Sequence, residues 1–460
     1  MTTKAYGYQK EGVQRIQQLN GRALLADEMG LGKTFQALLW AWMFLDEGPY
    51  LVVCPATLKN SWRREAREHL NLRTVILNHR LPPANFKPSK KTTYIINYEI
   101  LGNPLGKTRT WSQVLKRMQP TSIFFDEGQY LMNSGSGRSL YSKFLTKGVK
   151  HVLILTGTPL TRTPAQLWSL LNIIKPKLFP SKLRFLNRYT KPEWTPWGIV
   201  YKGGTRLKEL HRILKKHVMI RRRKKDVLKD LPKKTQVVIQ VDLSDNRQYR
   251  AAEKDFKKWL RQTYPNRVNK ARRAKYIMKA GYLLRLIGEL KLKAVKKWIE
   301  DFLSGSEGKL VCFGYHKKVV QPLHKAFKKV SVRIDGSVHG DKRIEAEDRF
   351  NDRKKVRILF GNIKAAGIGL NLQVANKVMF AELTSVPADI TQAEARVDRI
   401  GQKLPVTSYF LVGKDTIEEP LLKKLQERQE IIDKVLDGKV GKKTLPIWDK
   451  LEEALMKGSK

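Results

Sequence analysis

Ten short runs rich in Val, Ile, Leu and Phe, many of them separated by helix-compatible stretches, set the tightest limit on the fold of this chain. Short apolar runs alternating with helical patterns are the signature of parallel βαβ units. Five lie in the first half, at 22–27, 50–54, 93–97, 122–126 and 151–156. Five lie in the second, at 309–313, 330–334, 357–361, 377–381 and 406–412. Two series in tandem predict an α/β protein of two parallel-sheet lobes, spanning 1–232 and 233–460. Helical insertions are expected near 160–220 in the first lobe and 245–300 in the second.

Composition decides what such a chain meets. It has 460 residues, enough for two large domains or about three ordinary ones. Lys and Arg number 90 and Asp and Glu 42, a formal charge of +48. Hydrophobic residues make up 41%, with 16 Phe, 15 Tyr and 10 Trp, which supplies cores and excludes a disordered basic tail. A charge of this size repels itself unless an anion neutralises it. Nucleic acid is the first candidate and a membrane surface the second. Residues 206–234 hold thirteen basic and three acidic side chains, and residues 247–279 hold twelve and two. In the second stretch the one-signed excess points to phosphate contact. In the second stretch Phe256, Trp259 and Leu260 share a helical face. Only two cysteines are present, Cys54 and Cys312, each inside an apolar run. That excludes a disulfide scaffold and a four-thiolate zinc site. The N-terminal residues lack a signal-peptide pattern, and the longest apolar stretch, near 37–45, falls well short of the ~20 residues that span a bilayer. A soluble intracellular monomer is expected.

The sharpest local pattern is Asp27-Glu-Met-Gly-Leu-Gly-Lys-Thr34, between an apolar strand and the helical run Phe35-Gln-Ala-Leu-Leu-Trp. Gly30 and Gly32 let backbone N–H groups turn toward phosphates, and the helix N-terminus adds its dipole. Lys33 is placed to reach β- and γ-phosphates and Thr34 to ligate magnesium. The general P-loop pattern has glycine where Asp27 stands. Ser122-Ile-Phe-Phe-Asp-Glu-Gly-Gln129 supplies the acidic partner: Asp126 for magnesium and Glu127 to orient and deprotonate a water. Thr156-Gly-Thr-Pro159 follows the next strand and is placed to sense the γ-phosphate. In the second half, Gln392-Ala-Glu-Ala-Arg-Val-Asp-Arg-Ile-Gly-Gln402 holds Arg396 and Arg399, three apart and expected on one helix face. Paired guanidinium groups suit γ-phosphate charge, which would require the two lobes to close. Upstream, Gly367 and Gly369 allow close approach of backbone to a phosphate. Trp194 and Trp197 lie in a Pro-containing loop, where packing against an insertion helix is favoured over base stacking.

In this order the motifs resemble the Swi/Snf-type ATPases of helicase superfamily two, closest to the compact annealing-helicase branch. The resemblance runs from Tyr8-Gln9 to about Leu436. It implies two RecA-like lobes, an adenine-reading role for Gln9, and ATP and magnesium as cofactors. It also implies that Arg396 and Arg399 are the finger arginines and that duplex or branched DNA is the partner. His217-Val-Met-Ile-Arg-Arg-Arg-Lys-Lys-Asp-Val-Leu-Lys-Asp-Leu-Pro232 is similar to the segment that sets this family apart from other helicases. The segment Asp126-Glu-Gly-Gln129 is similar to the family's motif two, which usually has histidine at its fourth place, where this chain has Gln129. Glutamine still offers a donor and an acceptor for a link to Thr156-Gly-Thr-Pro159, which is similar to motif three. The implied activity is DNA-dependent ATP hydrolysis driving translocation, in contact with DNA in the cell. The alternatives are an RNA or single-strand helicase of the same superfamily and a non-catalytic nucleic-acid-binding protein.

Overall fold

The structure, a computed structural model, describes residues 5–44, 48–89, 92–106, 108–161, 163–195, 198–228, 231–232, 234–263, 270–338, 341–366, 370–384 and 386–438. Contacts divide the chain into two units. The first comprises 1–191, 201–229 and 431–440, and the second 192–200, 230–430 and 441–460.

The first unit is built on strands β1 (Arg22–Leu25), β2 (Tyr50–Cys54), β3 (Thr74–Ile76), β4 (Thr93–Asn97), β5 (Ser122–Asp126) and β6 (His151–Leu155). The chain then forms a separate two-stranded pair, β7 (Lys191–Thr195) and β8 (Gly198–Lys202), before β9 (Met219–Ile220) returns to the sheet. The order across the seven-stranded sheet is β3-β4-β2-β5-β6-β1-β9, with every pairing parallel. Central strands such as β2, β4 and β6 are buried along their whole length. Helices cover both faces of a parallel sheet, so such strands read as continuous apolar runs. Trp40, Trp62 and Trp111 fill the space between sheet and helices. The C-terminal helix Glu418–Asp437 ends in this unit, with Ile432, Val435 and Leu436 in the same apolar core.

The second unit carries β10 (Lys234–Val241), β11 (Leu310–Gly314), β12 (Ser331–Ile334), β13 (Ile358–Asn362), β14 (Lys377–Phe380) and β15 (Val406–Gly413). Its order is β10-β15-β14-β11-β13-β12, again parallel throughout. Helices Asn246–Thr263, Lys270–Leu290 and Leu292–Gly305 separate β10 from β11. Lys291 and Glu418 form an ion pair inside this unit, 0% and 1% exposed, 2.8 Å apart. Lys291 also donates to the Leu411 carbonyl at 2.6 Å, and the Gly413 N–H donates to Glu418 at 2.8 Å.

The α/β architecture matches the sequence expectation, and the differences have physical causes. The strands not anticipated in the main sheets, β3, β9 and β10, all lie at sheet edges, where one side is unpaired and the apolar pattern is weaker. The stretch 160–220 is not wholly helical, because β7 and β8 interrupt it. Trp194 sits on β7 and is 83% exposed, not packed on a helix, while Trp197 lies outside the described residues. The side chains of Phe256, Trp259 and Leu260 also lie outside them. Cys54 and Cys312 are buried and free. Among the described residues no helix is long and apolar enough to cross a membrane.

Candidate nucleotide site

Sheet order sets the geometry of the site. β6 lies between β5 and β1, so the segments leaving the C-terminal ends of these three strands share one edge. Those segments are the loop Ala26–Gly32, the pair Asp126-Glu127 and the turn Thr156-Gly-Thr158.

Helix Lys33–Phe44 begins at the end of the loop, with Lys33 and Thr34 as its first two residues. Gly30 and Gly32 have φ of 82° and 70°, a conformation that side chains disfavour. A Cβ on Gly32 would also stand 2.5 Å from Gln9 Nε2. Gln9 belongs to the first helix, Gly7–Gln18. Its Oε1 accepts from the Tyr6 N–H at 3.0 Å and its Nε2 donates to the Leu31 carbonyl at 3.4 Å. The first helix is thus fastened to the phosphate loop through Gln9. Lys33 Nζ donates to the carbonyls of Asp27 and Glu28 at 2.9 and 3.3 Å. Burial lowers the pKa of its ammonium, while Asp27, Glu127 and Asp126 pull the other way.

Asp126 ends β5. Trp62 Nε1 donates to its Oδ2 at 2.7 Å and the Glu127 N–H to its Oδ1 at 2.9 Å. The Tyr98 hydroxyl donates to the Asp126 carbonyl at 2.7 Å. Removal from water and the neighbouring Glu127 push the Asp126 carboxyl up to about 6, against Trp62, the Glu127 amide and Lys33. Glu127 takes φ 51° and ψ 56°, the left-handed region that non-glycine residues seldom occupy. From it a chain of hydrogen bonds runs outward. Gln129 Nε2 donates to Glu127 Oε2 at 2.7 Å, and Thr156 Oγ1 donates to Gln129 Oε1 at 2.9 Å. The Thr158 N–H then donates to Thr156 Oγ1 at 3.0 Å. Gln129 therefore donates to the acidic pair and accepts from the Thr-Gly-Thr turn, joining the two.

The residues present fit a magnesium nucleotide. The loop has the positive-φ glycines and the helix start that a triphosphate needs, with a lysine resting on its carbonyls. Thr34 and Asp126 would hold magnesium, which takes one or two protein oxygens and completes its shell with phosphate and water. Among the described residues no cluster of three or more His, Cys, Asp or Glu could hold a metal alone.

In the second unit, helix Pro387–Glu394 stops before the arginines. Arg396 and Arg399 do not share a helix face: they lie in the turns that follow, 395–400. Two anchors end the helix. Glu394 is 1% exposed and accepts from Lys234 and Gln236, each at 2.7 Å. Burial alone would raise its carboxyl, but Lys234 and Gln236 outweigh it and hold it below the ordinary carboxylate range. Gln402 Nε2 then draws in the carbonyls of Gln373, Ala375 and Val397 at 3.0, 2.8 and 3.2 Å. The Arg396 carbonyl accepts from the Leu372 N–H at 3.0 Å. Gly367 and Gly369 lie outside the described residues.

The structure thus brings Gln9, Gly30, Gly32, Lys33, Thr34, Asp126 and Glu127 together in the first unit, and places Arg396 and Arg399 in the second. Sequence reasoning missed Trp62 and Tyr98, which position Asp126 and which no local pattern marks. It also missed Arg222 as a neighbour of the loop, although the segment containing it was singled out. Arg222 pairs with Asp27, Arg221 with Asp437 and Arg223 with Asp226, and Lys224 is 5% exposed. Three arginines of the basic stretch 206–234 are therefore paired with acids of this chain.

The SNF2-related domain matches residues 8–333, and the helicase conserved C-terminal domain matches residues 290–401. A Caenorhabditis elegans protein, the "SWI/SNF-related matrix-associated actin-dependent regulator of chromatin subfamily A-like protein 1 homolog", is 32% identical over 94% of this chain and 62% of its own length. The Bos taurus "DNA annealing helicase and endonuclease ZRANB3" is 28% identical over 95% of this chain and 41% of its own. The chain thus spans about 40 to 60% of the length of these relatives. The solved "Sulfolobus solfataricus SWI2/SNF2 ATPase core in complex with dsDNA" aligns over 99% of this chain and 96% of that one, at 21% identity and a TM-score of 0.45. With the family's domain matching from Tyr8 to Arg333, the chain belongs to the SNF2-related family of the helicase superfamily.

Proposed function

We propose that this chain is an ATP-driven DNA motor: it hydrolyses ATP when bound to duplex or branched DNA and uses the cycle to translocate. The observation that carries this reading is the hydrogen-bonded chain from Glu127 through Gln129 to Thr156, beside Asp126 and the phosphate loop. A nucleotide-storage site needs no such acid. A hydrolase needs a base held in place and a route by which the state of the γ-phosphate reaches the rest of the protein.

In this reading the loop amides and Lys33 bind the phosphates, and Thr34 and Asp126 hold magnesium, which when bound neutralises charge on the β- and γ-oxygens. Gln129 keeps Glu127 aimed, Glu127 takes the proton from the attacking water, and Thr156 links the site to its turn. Arg396 and Arg399 stabilise charge on the γ-phosphate. Gln9 reads the adenine. The names of the relatives support DNA as the track, and the charge of +48 favours a polyanion of some kind.

The test is magnesium-dependent ATP turnover with duplex, forked and single-stranded DNA and with RNA. Stimulation by duplex or forked DNA is expected. Preference for RNA would favour an RNA helicase, and no stimulation by any nucleic acid would overturn the motor. Glu127→Gln is expected to bind ATP normally and to hydrolyse it about 10²-fold or more slowly. Lys33→Ala and Arg399→Ala should each abolish turnover, and activity surviving both changes would refute the assignment.

A further inference from the structure

The departure at Asp27 has a structural counterpart. Its carboxylate is completely buried. Such a group persists only when its oxygens are fully hydrogen-bonded. Oδ1 accepts from the Arg222 backbone N–H at 2.9 Å and from Arg222 Nε at 3.0 Å. Oδ2 accepts from Gln36 Nε2 at 3.0 Å and from Arg222 Nη2. Arg222 Nη2 also donates to Gln36 Oε1 at 2.6 Å, and its guanidinium lies 5.5 Å from the centre of the Tyr8 ring. Gly12 makes room for this arrangement, since a Cβ there would stand 2.4 Å from Arg222 Nη2 and 2.2 Å from Gln36 Oε1.

The backbone is committed in the same direction. Three hydrogen bonds, Leu24 N–H to the Val218 carbonyl, Ala26 to Ile220 and Glu28 to Arg222, are spaced two residues apart at 2.9, 2.7 and 2.9 Å. They carry the β1–β9 ladder beyond the end of β1 and into the phosphate loop. The Lys224 N–H donates to Glu28 Oε2 at 2.6 Å, and Arg221 Nη1 donates to the Ala26 carbonyl at 2.9 Å. Residues 221–224 thus run beside residues 26–28 as a rail. The rail fixes the Asp27 and Glu28 carbonyls, on which Lys33 Nζ rests.

We propose that Arg222, through its pairing with Asp27, is a positioning residue for nucleotide phosphate. It holds the loop from a segment distant in sequence, through the Asp27 carboxylate and the backbone ladder beside it. The inference rests on the nucleotide-site reading above and adds to it the groups that shape the loop.

The test uses the full chain with Asp27→Asn, Arg222→Lys, Arg222→Ala and the pair Asp27→Asn with Arg222→Lys. For each, KM for ATP and kcat are measured at saturating duplex DNA. Affinity for a fluorescent ATP analogue, affinity for DNA and melting temperature are measured alongside. KM and the analogue Kd are expected to rise about tenfold or more, with kcat within about threefold and DNA affinity unchanged. Arg222→Lys keeps the charge but loses the planar fork, so its defect should be no larger than that of Arg222→Ala. The double variant should be little worse than the more damaging single one. A lower melting temperature with KM and Kd unchanged would make the pair a structural contact only and overturn the proposal. If Arg222→Ala fails to fold, the near-isosteric Asp27→Asn and Arg222→Lys decide. Wild-type protein that binds the analogue without hydrolysing ATP sinks the motor and leaves the Kd comparison to judge this inference. Wild-type protein that binds no nucleotide overturns both.

Discussion

At the scale of single residues, the site is built against local preference. Glu127 occupies a left-handed backbone conformation, and Asp126 carries its charge where water is scarce. Such departures persist only where surrounding structure imposes them, and they concentrate at functional positions. A stability prediction follows from the Asp126 carboxyl at about 6. The folded state holds this proton more tightly than the unfolded chain does, so ionising Asp126 costs stability. That cost begins as pH rises past the ordinary aspartate value of ~3.9 and is complete above about 6. Asp126→Asn should therefore melt higher than wild type at pH 8, with a smaller gap at pH 5, while losing magnesium-dependent hydrolysis. Thermal melts at the two pH values check it, and an equal gap at both would remove the assignment. Gln129 gives a second prediction. Gln129→Ala breaks both of its links, so kcat should fall while KM for ATP stays near the wild-type value. Steady-state kinetics decide, and a change confined to KM would contradict the role given to this chain of bonds.

Elements are held in place by buried polar groups that no periodicity reveals. The arginine turn after helix Pro387–Glu394 is fastened by one amide, Gln402, to three carbonyls. Gln402→Ala would leave those carbonyls without their donor, at a cost of about 1–3 kcal/mol, and would loosen the turn that carries Arg396 and Arg399. A drop in both melting temperature and kcat is expected. A stable variant with full turnover would show that the latch is dispensable. The Lys291–Glu418 pair makes a sharper case, because removing one partner strands a buried charge. Lys291→Met should destabilise the second unit by about 3–5 kcal/mol, and adding Glu418→Leu should recover part of that loss. Denaturant titration of the two variants is the measurement, and additive losses would exclude mutual compensation.

For the molecule as a whole, +48 overstates the charge offered to a polyanion. Arg221, Arg222 and Arg223 are paired with acids, and Lys234 with Glu394, whereas Lys215 and Lys216 on helix Leu207–His217 are exposed. Binding to duplex DNA should weaken steeply with salt, log K falling by about 0.9 per phosphate neutralised for each unit of log salt. Removing an exposed lysine that touches phosphate should lower that slope by about one, and Arg222→Lys should leave it unchanged. Salt titrations of DNA affinity separate the two groups. Equal effects would mean that the inward arginines face the DNA after all. What the sequence determined alone was the alternation of central strands and helices, the phosphate loop and the acid pair. Fully buried parallel strands are apolar along their length, and phosphate chemistry demands fixed residues at fixed spacing. Edge strands β3, β9 and β10 left a weaker trace because each is paired on one side only, and β3 and β9 are just three and two residues long. Only the tertiary structure decided which basic residues point inward, where the arginine helix ends and what holds Asp27 and Asp126. Those outcomes depend on partners such as Arg222 and Trp62, which sheet order brings close and chain order keeps far apart.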